Sequence, residues 1–143
     1  MATSLAPNNI TASITVDDRH AQTLNVLNAA AGLTITLPAA TGSGRKFDFL
    51  VGTTVTSNND IIQVANATDV MAGIVTMAQD GGDTSVLFES ASTSDTITMN
   101  GSTKGGIMGD RIVLTDISAN LWSVAVVGSA TGTEVTPFSA AVS

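Results

Sequence analysis

The chain has no cysteine, no tyrosine, one histidine and one tryptophan, and only 12% of its 143 residues are charged. Without cysteine there is no disulfide and no thiolate metal site, and the redox compartment leaves no mark on the sequence. One histidine alone makes a zinc site poor. With aromatics at 3%, a core has to be assembled from Val, Ile, Leu, Ala and Met. Five basic residues against twelve acidic ones, a net charge of −7, provide no basic face for a nucleic acid. Read from composition, that balance describes a soluble particle that repels polyanions. No apolar run approaches the roughly eighteen residues of a membrane span, so no membrane partner is expected. The opening MATSLAPNNITASI lacks the basic and apolar regions of a signal peptide, and none is expected. The N-x-[ST] triplets at Asn9, Asn66 and Asn100 then read as chance in a chain rich in Ser and Thr.

What is present is the vocabulary of strands and turns. At 43% hydrophobic the chain is too apolar for disorder, and its length suits one domain. Apolar residues alternate with a period of two in Ser13–Val16, Leu24–Val26, Leu33–Leu37, Lys46–Val51, Thr96–Met99 and Arg111–Leu114. The run Trp122–Val127 is apolar enough for a buried central strand. Breakers such as ATGSG, TSNND, QDGGD, NGSTKGG and GSATG separate these runs. The spacing predicts an all-β fold: an antiparallel, jelly-roll-like sandwich of about eight to ten short strands. Asn28–Ala31 is the single helical candidate and is too short to stand. Residues 1–13 read as an N-terminal arm, and residues 14–143 as one sandwich domain whose tail begins near Gly128. The expected core is Ile35, Leu37, Phe47, Phe49, Ile97, Ile112, Leu114, Trp122 and Val124.

Several stretches imitate chemical motifs. LPAATGSGRKFDFLV, residues 37–51, puts a glycine-rich segment after a strand, where phosphate loops occur. A Walker loop needs G-x-x-x-x-G-K-[ST] followed by a helix. Here the spacing is wrong and FDFLV alternates as a strand, so Gly42–Lys46 reads as a turn in which Gly42 and Gly44 supply positive φ. Ser43 and Lys46 spell S-x-x-K without the helix or the partner motifs that use it. Asp17-Asp18-Arg19-His20 reads as a solvated polar turn. Gly105–Asp110 approaches a calcium repeat but is out of spacing and occurs once, where such repeats need stacked copies; Asp80–Asp83 is a similar lure whose carboxylates read as loop caps. No catalytic, cofactor-binding or metal-binding residue is assigned, and the sequence does not read as an enzyme.

Three stretches in order carry a resemblance: LTITLPAATGSGRKFDFLVGT at 33–53, NNDIIQVANATDVMAGIV at 58–75, and TITMNGSTKGGIMGDRIVLTDISANLWSVAVVGSATG at 96–132. The pattern is a strand into LPAATGSG, an F-x-F strand, a D-V-M-x-G turn, then GD-x-I-x-L, W-x-V and TG. It resembles the capsid decoration, or cement, proteins of tailed phages, with related modules in head fibres and tail appendages. The resemblance implies an all-β virion protein, made in the host cytoplasm, that assembles as a homotrimer on the outer capsid surface and stiffens the shell. Its implied partner is the major capsid protein. The alternative is a head-fibre or tail module that binds a receptor or carbohydrate, a role that favours exposed aromatic platforms. Trp122, within an apolar run, is expected in the core instead.

Overall fold

The computed structural model describes residues 6–81 and 84–143. It is all-β, with no helix among the described residues. Twelve strands run in chain order: β1 (Asn8–Ile10), β2 (Ile14–Thr15), β3 (Leu24–Leu27), β4 (Thr34–Thr36), β5 (Lys46–Val51), β6 (Asp60–Gln63), β7 (Val70–Gln79), β8 (Thr84–Glu89), β9 (Thr96–Met99), β10 (Arg111–Ser118), β11 (Leu121–Ala130) and β12 (Phe138–Ser139). They form a seven-stranded sheet, β1-β3-β5-β10-β11-β7-β8, and a five-stranded sheet, β12-β9-β6-β4-β2.

The pairing departs from the expected antiparallel sandwich, because both sheets are mixed. β1, β3 and β5 are mutually parallel neighbours, and so are β2, β4 and β6. The first six strands alternate strictly between the two sheets, so each strand pairs with the one two places along rather than with the next. The glycine-rich breakers in this half are corners between sheets, not hairpin turns. Period-two alternation reports which face is buried and is blind to strand direction, which is why the sequence reading missed the winding. The hairpin β10–β11 then enters between β5 and β7, antiparallel to β5 and parallel to β7.

Inward-facing residues of the two sheets share one core, built around Ile35, Leu37, Phe47, Phe49, Ile62, Met71, Met77, Ile97, Ile112 and Trp122. All nine expected core residues are buried. Trp122 leans on Phe47 with ring centroids 5.8 Å apart, so the few aromatics are concentrated where β5 and β11 face the second sheet.

Two readings change at the ends and in the middle. Within the expected arm, residues 1–5 lie outside the described residues, while Asn8–Ile10 pair in parallel with β3 and Ile10 is buried. The buried Asn25 fastens this strand: it accepts a hydrogen bond from the Asn8 side chain and donates to the carbonyls of His20 and Asp48. The D-V-M-x-G segment is not a turn but the start of β7, a continuous ten-residue strand. Gly73 lies inside that strand because β11 crosses too close for a side chain: a Cβ there would sit 1.7 Å from the Val124 carbonyl oxygen.

Candidate functional site

The Gly42–Lys46 segment is a loop, and Gly42 and Gly44 both have positive φ, as the sequence requires. It does bind an anion through its amides, and the anion is the protein's own Asp116. The buried Asp116 carboxylate accepts the N–H groups of Thr41 at 3.0 Å, Gly42 at 2.7 Å and Ser43 at 3.1 Å, and the Ser43 hydroxyl at 2.6 Å. Burial alone would raise its pKa, but the donors from Ser43, Thr41 and Gly42 outweigh it and hold the carboxyl at about 2. Ser43 is thus committed to Asp116, while Lys46 opens β5 on its exposed side. The structure does not unite them as a reactive pair.

The same device recurs through the molecule. Asp110 accepts the N–H groups of Gly106, Ile107 and Ser129, closing the Gly105–Asp110 loop that imitates a calcium repeat. Burial pushes its carboxyl up against the pull of those donors. Asp95 accepts the N–H groups of Ala141, Val142 and Ser143 together with the Thr96 hydroxyl. Burial opposes this ionisation too, yet these donors leave Asp95 below the usual carboxylate range. Asp69 accepts from Ala40, and Asp60 from Leu33. The second Asp60 oxygen has no partner, and desolvation lifts its pKa to about 6. Asp80 caps Gly132, in line with the loop-cap reading of its segment; Asp83 lies outside the described residues.

These five buried aspartates revise the charge argument. Asp60, Asp69, Asp95, Asp110 and Asp116 are each at most 3% exposed. Of the twelve acidic residues, the other seven face five basic ones, so only −2 of the −7 lies outside the buried set. The chain is acidic chiefly because carboxylates tie its loops from within, so the negative charge is concentrated less at the surface than the composition suggests, while the net charge remains −7.

His20 stays in its polar turn, with Nδ1 3.1 Å from an Asp17 oxygen. A neighbouring cleft of about 430 Å³ is lined by Val16, Asp17, Asp18, Arg19, Pro38 and Arg45. Its charges are satisfied within the chain, Arg19 by Asp17 and Arg45 by Asp18. Among the described residues no three metal-ligating side chains gather.

The outward faces of the two sheets differ sharply. Across the five-stranded sheet one register row on the side away from the core reads Thr15, Thr36, Gln63, Thr96, Ser139, polar throughout although Thr96 itself is buried. Across the seven-stranded sheet, two adjacent rows read Leu24, Asp48, Val113, Ala125, Ile74, Glu89 and Val26, Leu50, Arg111, Val127, Thr76, Leu87. Ile74, Leu87 and Val127 are 47%, 61% and 66% exposed. Arg111 and Asp48 neutralise each other through two hydrogen bonds of 2.7 and 2.6 Å. Eight of these twelve positions are apolar, which makes this the more apolar of the two outward faces. Sequence reading missed it because β7 and β8 were not recognised as strands, so the rows could not be assembled.

No family model, curated protein or solved structure matches this chain.

Proposed function

We propose that this chain is a structural virion protein, a capsid decoration protein of the tailed-phage type that binds the outer surface of the shell as an oligomer and stabilises it. The observation that carries the reading is the flat, nearly neutral apolar face of the seven-stranded sheet. A small β-domain that leaves such a face open gains buried area by assembling. The three segments that carry the resemblance support it, since they supply β4, β5, β6, the start of β7, and β9 to β11, the centre of both sheets. The loops between these strands are closed by internal carboxylates, which suits a rigid block more than a ligand-gripping mouth. A jelly-roll-like origin is part of this proposal, with the two-sheet layering kept and the pairing mixed.

A trimer fits the role, because threefold and local threefold positions between capsomers let one assembly bridge several shell subunits. Many modest contacts then give tight attachment. Stiffening follows from mass action, since the protein binds the assembled shell and not its dissociated subunits. The test is a copy-number count on purified virions, paired with cryo-electron microscopy of their surface. Hundreds of copies on the outer shell are expected. A handful of copies confined to the tail or to head fibres would favour the receptor- or carbohydrate-binding alternative and overturn the decoration reading.

A further inference from the structure

We infer that the outward face of the seven-stranded sheet, with the free edge of β8, is where copies of this chain meet one another; this rests on the oligomeric reading above and specifies its contact surface. β8 is the last strand of its sheet, and no described strand lies beyond it. None of its residues is buried. Its sequence, Thr84-Ser85-Val86-Leu87-Phe88-Glu89, carries no Lys, no Pro and no bulge, the devices that normally keep an edge from pairing.

The backbone geometry aims that edge outward. Ser90 N–H donates to the Gly73 carbonyl, which fixes the alternation of bonded pairs along β7 and β8. By that alternation Phe88, Val86 and Thr84 bond to β7, and Glu89, Leu87 and Ser85 turn their N–H and C=O groups to the open side. The side chain of Leu87 stands on the same outward face as Ile74 and Val127, so the open edge and the apolar face form one continuous surface.

Three properties select a second copy as the occupant. The first is charge. The face holds the self-neutralised Arg111–Asp48 pair, Lys46 at one end and Glu89 at the other, so the patch itself adds no local charge repulsion between two copies. The second is what the face lacks: it carries no unpaired charged anchor at its centre with which to select a polar partner, whereas an apolar contact with a second copy needs none. The third is area. Six strands, β3 to β8 in spatial order, at about 4.8 Å spacing, with two outward residues on β3 and three counted on each of the others, span roughly 550 Å². A contact between copies that covers such an area on both partners buries about 1,100 Å², close to the lower end of stable interfaces. Pairing along β8 adds main-chain hydrogen bonds to that total.

The test measures the mass of the full chain by light scattering at micromolar concentration, for wild type and for Leu87→Lys, Val127→Lys and Thr34→Lys. Thr34 stands on the threonine-rich face of the other sheet and serves as the control. Circular dichroism and melting temperature verify folding of each, since all three positions lie outside the core. An oligomer for wild type and Thr34→Lys, with at least tenfold weaker association for Leu87→Lys and Val127→Lys, is the expected result. A monomeric wild type, or oligomers of unchanged mass and affinity for all variants, would overturn the inference. A wild-type monomer that still coats capsids would remove this interface and leave the decoration reading intact. An oligomer that dissociates as expected and fails to bind capsids would do the reverse.

Discussion

Asp116 and Gly42 lie 74 positions apart in the chain and are joined by a 2.7 Å hydrogen bond from the Gly42 amide to the Asp116 carboxylate. With the neighbouring donors from Thr41 and Ser43, that bond turns a loop shaped like a phosphate cradle into an internal tie between β10 and the segment leading to β5. The amides of Thr41, Gly42 and Ser43 are already committed to Asp116 and are not free for a second anion. Calorimetric titration with ATP and magnesium is therefore expected to show no heat of binding. A micromolar affinity would refute the assignment.

The same tie sets a stability trend at low pH. Asp116 has a folded pKa depressed to about 2 from an ordinary value of 3.8. Its contribution is fully present above the unfolded value and is lost as pH falls through about 2. The size is on the order of 2 kcal/mol. Asp116→Asn keeps the shape but loses the charge, and should flatten the acid limb of a denaturation series run from pH 5 to pH 2. An unchanged acid limb would show that Asp116 is not the group responsible.

Asp60 works in the opposite direction. Desolvation raises it to about 6, with one oxygen unpartnered. A raised carboxyl favours folding most below its unfolded value near 3.8, and the benefit is lost as pH climbs through about 6. Asp60→Asn is neutral throughout and keeps an acceptor for the Leu33 amide. It should therefore narrow the difference in melting temperature between pH 4.5 and pH 7.5. An equal difference in mutant and wild type would exclude Asp60 as its source.

The core and the turn should respond unequally. Phe47 and Trp122 are fully buried and in contact, and truncating either to Ala should cost about 3–5 kcal/mol. Arg45 holds Asp18 in an ion pair whose acidic partner is almost fully exposed, and Arg45→Ala should stay within about 0.5 kcal/mol. Urea titration separates the two classes, and equal losses would contradict the burial pattern.

The N-terminus divides at β1. Removing residues 1–7 should leave the melting temperature near that of the full chain, because Asn8 and Ile10 remain to pair with β3. Removing residues 1–13 also takes away the buried Ile10 and the Asn8 partner of Asn25, and should lower the melting temperature by several degrees. Capsid occupancy measured on the shorter deletion then isolates any contact made by the first residues. Occupancy equal to that of the full chain would move that contact to the loops, with Arg45, Lys46 and Lys104 the first to examine.

The limits of sequence reading have physical causes here. Lys46–Val51 and Thr96–Met99 are strands over the residues that alternation marks, and in Lys46–Val51 the burial alternates cleanly because a sheet with one wet side is enough to produce it. β7 was hidden by Gly73, a residue that reads as a turn and is in fact demanded by the close approach of β11. Strand direction was invisible because the burial pattern of a parallel neighbour is the same as that of an antiparallel one. The buried aspartates look like surface charge in the sequence, since a carboxylate that caps a distant loop leaves no local mark. Asp116 serves Thr41, and Asp95 serves the last three residues, across separations that only the fold reveals.

The place of β10 and β11 in the larger sheet also orders events in time. On the ribosome, β1, β3 and β5 and then β7 and β8 emerge before the two strands that join them, so the centre of that sheet is the last part of it to be made. β5 keeps one edge open until β10 has been synthesised, and β7 keeps one open until β11 ends at residue 130. The pairings that close the gap link residues far apart in sequence, which makes closure slow. A nascent chain held in that state is exposed to misassembly with its siblings. Chains cut short before the final hairpin are accordingly expected in inclusion bodies, not among soluble folded fragments.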